Sequence, residues 1–119
     1  MAKKINLNDY LGHSMDCTCG KEHKTNLKIV DIDKDAVSRL PKHIEALGYK
    51  KPFLVADVNT WAAAGALVAE KLDVADISYK KYIFNEKELI PDEKTLGSLM
   101  MAFSRDCDVI VAVGSGTLN

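Results

Sequence analysis

The chain has 119 residues, enough for one ordinary domain with a single hydrophobic core. Its 16 basic and 17 acidic residues are interspersed and give a net charge of −1, so neither nucleic acid nor an anionic membrane is an expected partner. No apolar stretch approaches the roughly 18 residues of a membrane span, and no apolar segment follows the N-terminal lysines as in a signal peptide. Three cysteines, an odd number, predict a reduced, cytoplasmic protein rather than a disulfide framework.

Residues 1–26 are polar and irregular, and they contain the segment CTCGKEH. Cys17, Cys19 and His23, with His13 upstream, are side chains of the type that binds zinc. Structural zinc sites usually separate paired cysteines by about two to four residues, so Cys-x-Cys is a tight spacing, and no second pair follows. We therefore expect a hairpin or loop without metal here, and a small structural zinc site is the alternative.

A regular alternation of strands and helices begins at Leu27 and defines a second region, residues 27–119. Four apolar runs predict strands, at residues 27–32, 52–57, 77–84 and 108–113. Strands that alternate with helices form βαβ units. The fold class predicted is therefore α/β, with a doubly wound parallel sheet flanked by helices.

Three helices are predicted between the strands. Asp33 can cap the helix that follows, in which residues 36–40 form a short turn, Pro41 opens the main helix, and Gly48 ends it. The second helix covers residues 59–72, with Asn59 or Thr60 as its cap. Asp92 opens the third helix, and the apolar side chains at helical spacing along it are predicted to be core: Leu96, Leu99, Met100 and Phe103.

A glycine-rich turn, Gly114-Ser115-Gly116-Thr117, follows the last predicted strand. Ligands of open α/β sheets bind at the carboxyl ends of the strands. Glycines there let a phosphate approach the backbone, and the two hydroxyl groups add hydrogen-bond donors. A tight strand–helix turn uses glycine as well, so the spacing alone leaves a phosphate site and a structural turn equally open.

Three runs together, CTCGKEH, GYKKPFLVADVNTWAAAG and VIVAVGSGTLN, resemble the sn-glycerol-1-phosphate dehydrogenases, specifically their bacterial branch. This branch is related to the iron-containing alcohol dehydrogenases and the dehydroquinate synthases. The resemblance covers essentially all of the chain and implies the front third of such an enzyme. We therefore expect an incomplete Rossmann-like nucleotide-binding domain, truncated before an all-helical second domain and inactive alone.

The resemblance also implies which residues bind the cofactor, NAD or possibly its phosphorylated form NADP. The turn would hold the pyrophosphate, mostly through backbone N–H groups, at Gly114, Ser115, Gly116, Thr117 and Leu118. Asp57 ends an earlier strand and would approach the adenosine ribose. A carboxylate there accepts a hydrogen bond from a free 2′-hydroxyl and repels a 2′-phosphate. Asp57 therefore favours NAD, and the alternative for it is a cap of the helix that follows.

The reaction implied is the reversible reduction of dihydroxyacetone phosphate to sn-glycerol 1-phosphate, a phospholipid precursor, by a nicotinamide hydride. A divalent metal would polarise the substrate carbonyl. Its Asp and two His ligands belong to a later part of the family's chain, so no catalytic or metal-binding residue is carried over. The alternative is a stand-alone α/β module that binds a phosphate or nucleotide, and a homo-oligomer is expected because an uncovered sheet face favours self-association.

Overall fold

A computed structural model of the chain describes residues 6–12, 14–15 and 17–118. These residues fall into two compact units, one ending at Ala36 and the other beginning at Val37, and each is described by itself. The predicted domain boundary between residues 26 and 27 stays a prediction. Within the described ranges, no helix is both long enough and apolar enough to cross a membrane.

The first unit contains a short 3-10 helix and a β-hairpin. The helix covers Leu7–Tyr10 and is capped by Asn6, whose side chain accepts a hydrogen bond from the Asn8 amide at 3.2 Å. The hairpin pairs β1 (Ser14–Met15) with antiparallel β2 (His23–Lys24), and the Cys-Thr-Cys-Gly segment lies in the loop between them. The hairpin expected for this segment is confirmed.

The strand predicted at residues 27–32 is wrong. No described strand pairs with this segment, and the side chains of Leu27 and Ile32 are 57% and 80% exposed. Alternating apolar residues suit a strand only where a neighbouring strand satisfies the backbone hydrogen bonds. The segment leads to a turn in which the Asp33 carboxylate accepts a hydrogen bond from the Asp35 amide at 2.8 Å.

Helix α1 (Ala36–Ala46) runs without interruption through Pro41, so the predicted break before that proline is wrong. Pro41 lacks the N–H that would donate to the Val37 carbonyl, and the helix loses that one hydrogen bond. Pro41 and Ile44 are both buried, and we attribute the continuous helix to the burial of this face. The predicted end is confirmed, because Gly48 adopts a φ of +84° just beyond the last turn.

Three parallel strands form the sheet of the second unit: β3 (Pro52–Asp57), β4 (Lys80–Phe84) and β5 (Val109–Ala112). Their order is β4-β3-β5, and the register places Phe53 opposite both Lys80 and Ile110. β3 is the central strand, and its residues 52–56 are all buried. The prediction of a partial, Rossmann-like parallel sheet with flanking helices is confirmed.

A continuous helical run follows β3, made of α2 (Val58–Thr60), a π-helix (Trp61–Gly65) and α3 (Ala66–Val74). The Trp61 ring packs on Gly65, where an added Cβ would lie 2.6 Å from Trp61 Cε3. The Lys81 ammonium sits 4.6 Å from the centre of the same ring. Trp61 is therefore a packing residue of this helix.

Hydrophobic clusters cover both faces of β3. Leu54 points to one side, where it meets side chains of α1 and α3: Ile44, Val68, Ala69 and Leu72. Phe53 and Val55 point to the other side and pack with Phe84 and Cys107. Because side chains alternate along a strand, one buried strand supplies both clusters.

Helix α4 (Glu93–Ala102) covers the second cluster only in part. Its predicted cap is confirmed, since the Asp92 carboxylate accepts a hydrogen bond from the Thr95 amide at 2.8 Å. Of its apolar stripe, Leu99 packs on the cluster, whereas Leu96 and Met100 are 58% and 69% exposed. The core prediction is wrong for these two, and Leu96 lines an apolar groove of about 630 Å³ that remains open between α4 and Ile110 of β5.

Two carboxylates hold the amino ends of the strands. Asp108 accepts hydrogen bonds from the amides of Lys50 at 2.8 Å and Lys51 at 2.9 Å, which joins the start of β3 to the start of β5. Asp106 pairs with the Lys51 ammonium and, at 3.2 Å, with that of Lys80. The hydrogen bond from Lys51 holds the pKa of Asp106 well below its usual range, and the Lys50 and Lys51 amides lower the pKa of Asp108.

Candidate nucleotide-binding site

The candidate site lies at the carboxyl edge of the sheet, where β3 ends in Asp57 and β5 runs into the glycine-rich turn. Val55 of β3 is paired with Ala112 of β5. The Val113 amide donates to the Val55 carbonyl at 2.8 Å, which extends this pairing to the last residue before Gly114. Parallel pairing therefore brings together two segments that lie far apart in the sequence.

Gly114 is required by the local geometry. Its φ is +156°, a backbone angle that residues other than glycine rarely adopt. An added Cβ would also lie 2.3 Å from Leu118 Cδ1 and 3.2 Å from Thr60 Cγ2. The turn thus packs closely on the first helical residues after β3, and Gly114 sets its path.

Gly116 has no such packing constraint. An added Cβ there would meet no atom within 4 Å, and its φ lies outside the left-handed range. The Leu118 amide donates to the Ser115 carbonyl at 3.0 Å and closes the turn around Gly116. Residues 114–117 are exposed, whereas Leu118 packs against the cluster that contains Phe84. The turn is anchored at Leu118, and its backbone is open to a ligand at Gly116.

A cavity of about 160 Å³ joins the turn to the end of β3. Its lining contains four of the residues predicted to bind the cofactor: Asp57, Ser115, Thr117 and Leu118. The other two lining residues are Thr60, which sequence reasoning treated only as a cap, and Leu89 in the loop after β4. Nothing in the polar sequence around Leu89 indicates that this side chain reaches the cavity.

Asp57 also caps the helical run that follows it. Asp57 Oδ1 accepts a hydrogen bond from the Thr60 amide at 2.8 Å, and Thr60 Oγ1 accepts a hydrogen bond from the Asp57 amide at 3.0 Å, which together form a capping box. The cap predicted at Asn59 or Thr60 is therefore wrong, and the capping alternative for Asp57 is confirmed. Within the described ranges, the hydrogen bonds of this half-buried carboxylate use Oδ1 only. The role of Asp57 at a ribose stays a prediction.

The Cys/His segment brings its predicted ligands together on the hairpin. The sulfur atoms of Cys17 and Cys19 and one ring nitrogen of His23 lie within 4.8 Å of one another, and all three residues are exposed. Cys19 Sγ is 3.0 Å from His23 Nε2. The Cys19 amide donates to Cys17 Sγ at 3.5 Å, and this backbone hydrogen bond lowers the pKa of the Cys17 thiol. His13, the fourth candidate, lies outside the described residues.

Comparison with known protein families decides the class of the second unit. The profile of the iron-containing alcohol dehydrogenases matches residues 31–119. The chain belongs to the iron-containing alcohol dehydrogenase family. The matched range includes all three strands of the parallel sheet, Asp57 and the glycine-rich turn. Membership in this family agrees with the Rossmann-like architecture of the sheet.

Curated relatives narrow the resemblance within this family. Glycerol-1-phosphate dehydrogenase (NAD(P)+) of Halalkalibacterium halodurans is 34% identical over 108 residues, which cover 87% of this chain and 27% of the relative. The enzyme of the same name from Bacillus velezensis is 33% identical over 91 residues, 74% of this chain and 23% of the relative. That of Geobacillus stearothermophilus is 26% identical over 117 residues, 95% of this chain and 29% of the relative.

These matches confirm the resemblance to the bacterial glycerol-1-phosphate dehydrogenases. The chain spans about a quarter of the length of the relatives it matches. The comparison with solved structures gave no significant match.

Proposed function

We propose that this chain is the nucleotide-binding part of a metal-dependent NAD(P) dehydrogenase that interconverts dihydroxyacetone phosphate and sn-glycerol 1-phosphate. The observation that carries the proposal is the meeting of Asp57 with the turn at Gly114–Leu118 on the carboxyl edge of a parallel sheet. The names of the relatives, glycerol-1-phosphate dehydrogenase (NAD(P)+), supply the substrate class and the cofactor.

The role proposed for the turn is to hold the cofactor pyrophosphate. Gly114 fixes the path of the backbone, and Gly116 leaves that backbone free of side chains where a phosphate approaches. Ser115 and Thr117 line the adjoining cavity and offer hydroxyl donors to the phosphate oxygens. Once bound, the nicotinamide cofactor supplies the hydride for the substrate carbonyl, and the residues of this chain bind and orient it.

The role proposed for Asp57 combines a cap with recognition of the ribose. Oδ1 is committed to the Thr60 amide, and this hydrogen bond fixes the orientation of the carboxylate beside the cavity. The second oxygen then accepts a hydrogen bond from the ribose 2′-hydroxyl. A 2′-phosphate would meet the same negative charge, so NAD is preferred over NADP.

The described residues do not fit the catalytic metal that the family resemblance implies. Among them, Cys17, Cys19 and His23 are the one group of three or more potential metal ligands. Two thiolates and one imidazole differ from the implied Asp and two His, so no step of the reaction is derived through a metal here. We therefore propose that the 119-residue chain does not reduce dihydroxyacetone phosphate by itself.

This part of the proposal is tested by following NADH oxidation with dihydroxyacetone phosphate and added Zn²⁺, Ni²⁺ or Fe²⁺. The expected rate equals that of a protein-free blank. Sustained turnover that scales with protein concentration would contradict it.

The binding proposal is tested by NMR titrations of NADH and NADPH into the wild-type chain and Asp57→Asn. Asparagine caps a helix as well as aspartate does, so this variant removes the charge and keeps the cap. We expect weak binding of NADH, weaker binding of NADPH, and a smaller difference between the two in Asp57→Asn.

Asp92→Asn is the matched control, since Asp92 caps α4 through the same type of hydrogen bond to Thr95. It should leave the NADH-to-NADPH ratio unchanged. An unchanged ratio in Asp57→Asn would contradict the ribose role. Equal binding of inorganic phosphate or ATP to the same amides would favour the stand-alone module over a dehydrogenase.

A further inference from the structure

We infer that Cys17, Cys19 and His23 form a zinc-binding site on the β1–β2 hairpin. This inference does not rest on the proposed nucleotide site, because the three residues belong to the first unit of the chain. It rests on the arrangement of their ligand atoms, on the conformation of the loop and on the chemistry of the donors.

The ligand atoms are already close to the separations that a zinc ion needs. Zn–S bonds near 2.3 Å and Zn–N bonds near 2.0–2.1 Å place neighbouring ligands of a tetrahedral site about 3.5–3.8 Å apart. In the structure, the three atoms lie within 4.8 Å of one another, and the Cys19 sulfur is 3.0 Å from His23 Nε2. Rotations of exposed side chains are enough to make up the difference, because none of the three is held by a packed core.

The loop conformation explains how the tight Cys-x-Cys spacing places both sulfur atoms on the same side. Gly20 adopts a φ of +78°, and its amide donates to the Cys17 carbonyl at 3.2 Å, which closes a turn around Cys19. The turn brings the chain back toward β2, where His23 pairs with Met15 across the hairpin. The spacing that disfavours this site in the sequence therefore does not separate the ligands in the folded loop.

The donor set favours zinc over the hard cations. Thiolates and imidazole are ligands for Zn²⁺, whereas Mg²⁺ and Ca²⁺ require oxygen donors. The Cys19 amide already donates to Cys17 Sγ, a hydrogen bond that stabilises a thiolate and orients it. Three protein ligands leave one tetrahedral position, which a water molecule can take.

Zinc bound here would stabilise the hairpin. Each of its strands has only two residues, and an isolated two-stranded hairpin of this size is marginally stable in water. A metal that joins the loop to β2 closes this short segment, so its binding energy contributes to folding of the hairpin.

The experiment titrates Zn²⁺ into the reduced 119-residue chain in competition with a chromophoric chelator, and repeats the titration with Co²⁺ to observe thiolate-to-cobalt charge transfer. The variants are Cys17→Ser, Cys19→Ser and His23→Gln, with Cys107→Ala and His43→Gln as matched controls in the second unit. Circular dichroism of every variant confirms that the second unit remains folded.

We expect one zinc per chain and a cobalt spectrum of two thiolates. Each ligand variant should bind zinc on the order of 100-fold more weakly, because losing a direct ligand costs at least as much affinity as losing a residue that only hydrogen-bonds to a ligand. Each control should bind zinc like the wild type. Amides of residues 14–24 should gain hydrogen-exchange protection when zinc is added. Wild-type affinity in Cys17→Ser and Cys19→Ser, or no one-to-one complex, would overturn the inference.

Discussion

The two ends of the parallel sheet are built differently. At the amino end, Asp106 and Asp108 are paired with the ammonium groups and amides of neighbouring strands. At the carboxyl end, the Asp57 carboxylate accepts hydrogen bonds from the described residues through Oδ1 only, and the turn after β5 leaves its backbone exposed at Gly116. Polar groups of the same type therefore stabilise the sheet at one end and remain available to a ligand at the other.

The largest expected effects, on the free energy of unfolding and on NADH binding, come from substitutions of two glycines that lie two residues apart in the turn. Gly114→Ala places a Cβ 2.3 Å from Leu118 Cδ1 at a φ of +156°, and such a strained residue costs roughly 1–3 kcal/mol. Gly116→Ala meets no neighbouring atom, so its free energy of unfolding should stay near that of the wild type while NADH binding weakens. Urea denaturation and NADH titration measure the two quantities separately.

Gly97→Ala is the matched control for these variants, since an added Cβ there also meets no atom and the residue lies within α4. It should stabilise the chain by about 0.5–1 kcal/mol through the higher helix propensity of alanine, with NADH binding unchanged. Equal NADH binding by Gly116→Ala and Gly97→Ala would mean that the turn is only structural.

The next effect concerns the cap at the carboxyl edge. Asp57→Ala removes the acceptor of the Thr60 amide, and loss of such a cap costs about 0.5–2 kcal/mol. Asp57→Asn should restore most of that stability, because the amide oxygen can accept the same hydrogen bond. Thermal unfolding of both variants checks this, and equal destabilisation by Asn and Ala would show that the charge rather than the cap stabilises the helix.

The amino edge should respond to acid. The pKa values of Asp106 and Asp108 are lowered in the folded chain, so their contribution to stability is complete above the unfolded-state pKa of about 3.9 and is lost as the pH falls below it. The free energy of unfolding should therefore decrease on acidification through this range.

Asp108→Asn should be less stable at neutral pH, because its amide oxygen cannot replace both carboxylate acceptors, and should show a shallower acid dependence. Glu86→Gln, which removes an exposed carboxylate after β4, serves as the control. The same acid slope in Asp108→Asn and the wild type would contradict the role given to Asp108.

The smallest effect on stability is expected from the exposed apolar side chains of α4. Leu96 and Met100 are exposed, so Leu96→Gln and Met100→Gln should change the free energy of unfolding by no more than about 0.5 kcal/mol. We propose that this apolar surface associates with a second copy of the chain. Sedimentation velocity should show an oligomer that the double variant shifts toward monomer, and a wild-type monomer at high concentration would contradict the proposal.

The parts of the fold that sequence predicted best are those whose signals are local. The six residues of β3 form one apolar run that both faces of the sheet bury, and Asp92 stands directly before a helical stripe. The failures depended on partners that a local pattern does not contain. Residues 27–32 alternate but pair with no strand that the structure describes, and Leu96 lies on the correct stripe of a helix that only partly meets the sheet.

The candidate site follows the same rule. The glycine-rich turn and Asp57 were recognisable from their sequence context, yet their place around one cavity requires the parallel pairing of β3 with β5. The sequence left the cap open between Asp57 and Asn59 or Thr60, because a capping box depends on the φ and ψ angles at the end of the strand. Leu89 was missed because the pair Leu89-Ile90 in a charged loop has no periodic signal.

Amide chemical-shift mapping with NADH decides whether the carboxyl edge of the sheet binds a dinucleotide, as we propose. We expect the amides of Asp57, Thr60 and residues 114–118 to shift, and those of Lys50, Lys51 and Asp108 at the opposite edge to stay unchanged. Shifts at the amino edge, or no shifts at millimolar NADH, would contradict it.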